Sequence, residues 1–74
     1  MAKAIMYATR KTMNMTASLD DHGSEYEIVW TLHTKNYDAI TWNRFLRHHD
    51  YGTAVKEFTD MCNESAFNAP VAVA

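Results

Sequence analysis

The chain is poor in the residues that staple, break or thread a polypeptide. It has one cysteine, one proline and two glycines in 74 residues. A lone Cys62 cannot close an internal disulfide, so a disulfide-stapled secreted scaffold is excluded and a reducing compartment is expected. So little glycine and proline argues against a linker or low-complexity segment. No apolar run nears the ~20 residues of a spanning helix, and no apolar h-region with a cleavage site opens the chain. Neither sign of charge prevails, with seven Lys and Arg against nine Asp and Glu. That balance excludes a histone-like polycation and an acidic mimic of DNA. The expectation is a soluble, cytoplasmic protein.

The constellations that carry chemistry are missing too. Four histidines (His22, His33, His48, His49) and Cys62 show none of the paired short spacings of a structural zinc site. Ser18, Ser24 and Ser65 lie in no G-x-S-x-G elbow. Cys62 has Asp60 and Glu64 as near neighbours, which raise a thiol pKa and blunt a nucleophile. Paired carboxylates occur only as Asp20-Asp21 and the Glu25/Glu27 couple, the ordinary acids of a turn and a wet strand face. No glycine-rich phosphate loop is present. Neither catalysis nor a cofactor or metal is expected.

What the chain does have is alternation. From Lys11 to Thr34, Met13, Met15, Ala17 and Leu19 recur at every second position. After Asp20-Asp-His-Gly-Ser24 the pattern resumes as Tyr26, Ile28, Trp30 and Leu32, with Glu25, Glu27, Thr31 and His33 opposite. A period of two sends successive side chains to opposite faces, which predicts an antiparallel hairpin with one buried and one wet face. Residues 2–10 alternate Ile5, Tyr7 and Thr9 with Ala4, Met6 and Ala8. They read as a strand running into the first hairpin arm, although their composition also fits a short helix.

Residues 39–48 fit two readings. As a strand they place Ile40, Trp42, Arg44 and Leu46 on one face and Phe45 on the other, and a bulge near Asn43-Arg44 is needed to bury every apolar group. As a helix they align Ala39, Trp42, Phe45, Leu46 and His49 in a stripe. Enrichment in β-branched and aromatic residues favours the strand. Asp50-Tyr-Gly52 then breaks the chain and Thr53 can cap a helix, with Ala54, Val55, Phe58, Met61 and Cys62 at helical spacing. The prediction is an α+β fold: a small antiparallel sheet, made of the hairpin 11–34 and a third strand 39–48, packed by one helix over 53–64. The alternative is ββαα. Residues 1–65 form one domain with Trp30, Ile28, Leu32, Met15, Val55 and Phe58 in its core. Residues 66–74 read as a tail, either flexible or laid along a sheet edge through Val71-Ala-Val73.

Charge is segregated along the chain, and this marks the candidate surfaces. Thr41-Trp-Asn-Arg-Phe-Leu-Arg-His-His49 interleaves aromatic and basic residues, the mixture of which binding hot spots are built. Its candidates for protein binding are Trp42, Arg44, Phe45, Arg47 and His48. A second candidate surface is the acidic hairpin, Asp20, Asp21, Glu25 and Glu27, which suits a basic partner. For a nucleic-acid partner the candidates are Lys3, Arg10, Lys11, Arg44 and Arg47, although the aromatic signature of an RNA-recognition motif is absent. Unpaired sheet edges in so small a fold also admit a homodimer.

In length, single α+β unit, missing catalytic set and patchwise charge, the chain is similar to the small accessory proteins of bacteriophages and mobile elements. That resemblance is one of plan, with no motif that maps residue by residue. It implies a non-catalytic module that inhibits or modulates a host machine, such as RNA polymerase in transcription regulation or a CRISPR effector, by occupying its surface.

Overall fold

A computed structural model describes residues 3–12, 14–46 and 50–73. Strands β1 (Lys3–Thr9), β2 (Met15–Asp21), β3 (Tyr26–Leu32) and β4 (Ile40–Leu46) are followed by helix α1 (Tyr51–Glu64) and a short β5 (Val71–Ala72). The strands form one antiparallel sheet in the order β4-β3-β2-β1-β5. The fold is therefore α+β with a single C-terminal helix, not ββαα.

The pairings sort the side chains into rows across the sheet. On the helix side run Lys3–Asp21–Tyr26–Leu46, Met6–Leu19–Ile28–Arg44 and Ala8–Ala17–Trp30–Trp42. The centre of these rows is the core. Leu19, Ile28 and Ala17 are buried there beside Met6, Ala8 and Leu46, under Ala54, Phe58 and Cys62 of α1. Those three helix residues recur every fourth position, so they stand one above another on a single face. Alanines at 8, 17 and 54 leave room for the large Phe58 ring between helix and sheet. Of the expected core, Ile28 and Phe58 are fully buried, and Met15, Trp30 and Val55 pack against its margin. Leu32 is only half-buried, at the end of β3 that α1 does not reach.

Several local expectations need correction. β1 does not run into β2: the chain turns back between Thr9 and Met15, with the Arg10 N–H donating to the Met15 carbonyl at 2.9 Å. β4 pairs with β3 without interruption, and the one register shift lies in β1 between Ala4 and Met6. Burying every apolar group of β4 would have required a bulge there; instead Ile40, Trp42 and Phe45 stay 50%, 47% and 47% exposed. The helix starts at Tyr51, ahead of Thr53, because the Asp50 carboxylate is its cap and accepts from both the N–H and the hydroxyl of Thr53. Gly52 is thereby inside the first turn.

The helix stops at an alanine in a glycine-like conformation. Ala66 has φ 60°, and the Phe67 N–H beyond it donates back to the Cys62 carbonyl. This reversal buries Phe67 across from Arg10 and lays β5 along β1. The left-handed region costs a residue with a Cβ about 1–2 kcal/mol. Ala66→Gly is therefore expected to stabilise the protein by about 0.5–1 kcal/mol once the extra freedom of the unfolded chain is offset. A rise of a few degrees in the thermal midpoint by circular dichroism checks it, and an unchanged or lower midpoint contradicts it.

Candidate functional site

The sheet face away from α1 is covered by no described element, and its rows differ in chemistry. Ala4–Asp20–Glu27–Phe45 is acidic with an aromatic end, and Tyr7–Ser18–Val29–Asn43 is mixed. The row Thr9–Thr16–Thr31–Thr41 places one threonine on each of four neighbouring strands. His22 folds from the β2–β3 turn onto the acidic row. The turn that delivers it is fixed by Gly23 at φ 86°, whose N–H donates to Asp21 Oδ1 at 2.7 Å.

Glu27 is the hub of this face. Its Oε1 lies 2.7 Å from His22 Nε2, and its Oε2 accepts from Asn43 Nδ2 at 2.8 Å. The His22 ring also leans on Phe45, with centroids 5.6 Å apart and planes at 49°. Burial alone would push the Glu27 carboxyl up. The hydrogen bonds from His22 and Asn43, with the charge of His22, outweigh burial and hold it below its ordinary 4.5.

A folded-state pKa below the unfolded one means that Glu27 stabilises the fold above about pH 4.5, and that this is lost as pH falls through the lower, folded value. The urea midpoint is accordingly expected to drop as pH is lowered past 4.5. In Glu27→Gln that drop should be smaller; an identical pH profile would show that the cluster contributes nothing to acid sensitivity.

Directly across the strands from Glu27 stands Asp20, whose Oδ1 is shut from solvent without a hydrogen-bond partner among the described residues. Two carboxylates thus face each other with acceptor capacity to spare. Of the other acids read from the sequence, Asp21 belongs to the helix-side row and is engaged in the turn, and Glu25 lies in the turn itself. The acidic hairpin therefore divides, two residues on the bare face and two at its rim.

The basic-aromatic segment divides as well. Phe45 joins the acidic face, whereas Trp42 and Arg44 point to the helix side. Trp42 does not enter the core: of β4 only Leu46 is buried. Arg44 overlooks a groove of about 600 Å³ between β4 and α1, shared with Leu46, Met61, Glu57, Asp60 and Glu64. A smaller groove of about 340 Å³ lies between Trp30, Trp42, Met15, Phe67 and Arg10. Arg47 and His48, like Met13 of the first hairpin arm, lie outside the described residues.

The remaining cations are scattered. Lys3, the first residue of β1, and Lys11, past its other end, are exposed, and Arg10 is half-buried with Nη1 3.9 Å from Met15 Sδ. Lys3 and Arg44 lie in helix-side rows but are separated by β2 and β3, and Arg10 lines the groove beside Trp30 and Trp42. Cys62 is fully buried, and burial pushes its thiol up to about 11. The cause is desolvation, in place of the acidic neighbours expected from the sequence. Among the described residues no group of three His, Cys, Asp or Glu is placed to hold a metal, and no helix is long and apolar enough to cross a membrane.

The His22–Glu27 cluster was invisible to sequence reasoning as a unit. Alternation assigned Glu27 and Phe45 to faces, but only the β3–β4 register makes them neighbours. The His-Gly dipeptide of the turn was the one signal that a histidine could fold back. Comparison with protein-family models, curated proteins and solved structures finds no match for this chain.

Proposed function

We propose that the protein is a non-catalytic binding module that docks its bare sheet face on a basic surface of a larger protein. The observation that carries this reading is the acidic row: a half-exposed Phe45 held beside Glu27 and Asp20 on a face that no described element covers. A rigid aromatic anchor is what a hot spot needs, and adjacent carboxylates supply orientation and faster encounter with a cationic partner. The two carboxylates facing each other across β2 and β3 favour a lysine or arginine of a partner by charge.

The partner class follows from plan rather than from chemistry. Length, single domain and patchwise charge resemble phage and mobile-element accessory proteins. The proposed target is accordingly a host machine of the RNA polymerase or CRISPR effector type, met in the cytoplasm and modulated by steric and charge competition. A stable complex of this kind needs roughly 800 Å² of this protein's surface.

The test is affinity capture from a bacterial lysate with nuclease treatment, followed by mass spectrometry and repeated with Glu27→Lys. One stoichiometric, nuclease-resistant protein that the charge reversal loses supports the proposal. Bait recovered alone overturns it. Material that nuclease removes also overturns it, and assigns the scattered cations to nucleic acid.

A further inference from the structure

The outer strand β4 lacks the usual guards of a sheet edge. It is seven residues long, without proline, lysine or bulge, and three of its apolar side chains are about half exposed. The opposite edge is guarded: β5 is two residues long and directly follows Pro70. We propose that β4 pairs antiparallel with β4 of a second copy about a two-fold axis through Asn43. Two five-stranded sheets then become one continuous sheet with both helices on the same side.

The sequence of β4 is self-complementary about that axis. Residues equally far from Asn43 on either side meet, and because the spacing is even each meets a residue of its own face. Ile40 faces Leu46, Thr41 faces Phe45, Trp42 faces Arg44, and Asn43 faces itself. Trp42 and Arg44 thus meet twice, guanidinium against indole, a pairing favoured by the charge distribution of the aromatic ring. Arg44 is free for this, as it has no ion pair or hydrogen bond among the described residues. Moving the axis to Arg44 would oppose two guanidinium groups, and moving it to Trp42 would leave Arg44 against Ile40.

The groove beside Arg44 adds a shape argument. Trp42 of the second copy, directly opposite Arg44, projects at the mouth of the roughly 600 Å³ space, whose lining combines Leu46 and Met61 with the acids Glu57, Asp60 and Glu64. Half of two Trp42 and two Phe45 side chains, at ~150–250 Å² each, amounts to roughly 300–500 Å². With Ile40 and two backbones the total stays below the ~1,200 Å² of standard interfaces, in the range of weak pairs, so association at high micromolar concentration is expected.

The pairing is independent of the partner reading above, because it uses the chain alone. It would also set the two Phe45 anchors on one face, roughly 13 Å apart along the strands.

Sedimentation equilibrium on the purified chain tests the state, and cysteine pairing tests the register. The expected mass is twice 8.5 kDa. Asn43→Cys should form a disulfide dimer on mild oxidation. Thr41→Cys alone should not, but mixed with Phe45→Cys it should form the heterodimer. Buried Cys62 does not compete. Trp42→Ala should weaken association about tenfold or more. A mass of 8.5 kDa throughout the micromolar range overturns the proposal. So does cross-linking that is equal at all positions, or association unchanged by Trp42→Ala.

Discussion

Phe58→Ala is expected to remove a large share of the protein's folding stability. The ring is fully buried at the centre of the helix–sheet contact, flanked by Ala54 and Cys62 on its own helix and by Leu19 and Ile28 on the sheet. Its removal costs about 3–5 kcal/mol, from lost burial and from the cavity left behind. The whole stability of a domain this size is about 4–11 kcal/mol at the usual value per residue. Small alanines already occupy positions 8, 17 and 54, so the walls have few long side chains with which to collapse inward. Urea unfolding followed by circular dichroism should show a strongly lowered midpoint, with Phe58→Leu in between. A midpoint within 1 kcal/mol or so of the parent would mean that α1 is not held to the sheet through this ring.

Phe45→Ala is expected to do the reverse: preserve the fold and abolish most partner binding. This ring is 47% exposed on an outer strand, and its described aromatic contact is the tilted one with His22. Stability should therefore fall by about 1 kcal/mol, the scale of one aromatic pair. An anchor at the centre of an interface is worth about 2 kcal/mol or more, which is roughly a 30-fold loss of affinity. The check is titration of the captured partner with both forms, beside their urea curves. Unchanged affinity would remove the bare face from the proposal, and an unfolded variant would make Phe45 a structural residue. The two phenylalanines separate cleanly only because one is under the helix and the other on the face turned away from it.

The hairpin was legible because burial of one face enforces a period of two, and Met15, Ala17, Leu19, Ile28 and Trp30 keep it. β4 was harder for a physical reason. An outer strand partly exposed on both faces has no obligation to keep its aromatics on one side, so Trp42 and Phe45 gave no clean period. The demand for a bulge came from assuming that every aromatic must be buried. Phe67 could not be read, and β5 only in part: Val71-Ala-Val73 suited a sheet edge, but its partners Met6–Tyr7, like the Arg10 opposite Phe67, lie at the far end of the chain, and no local pattern encodes so distant a contact. The acidic row was half legible. Face assignments for Glu27 and Phe45 followed from alternation, but Asp20 was read as a turn residue although it belongs to β2, and their adjacency needed the register. The bond from Asn43 to Glu27 and the fold-back of His22 needed side-chain geometry.

The pairing of β5 with β1 brings the beginning and the end of the described chain to one margin of the sheet, with β4 at the other. A short peptide joining the two ends would therefore span neighbouring strands instead of crossing the molecule, so the protein is suited to circular permutation. Likewise, a molecule tethered to a solid support by either end would stand with β4 outward, available to whatever arrives from solution.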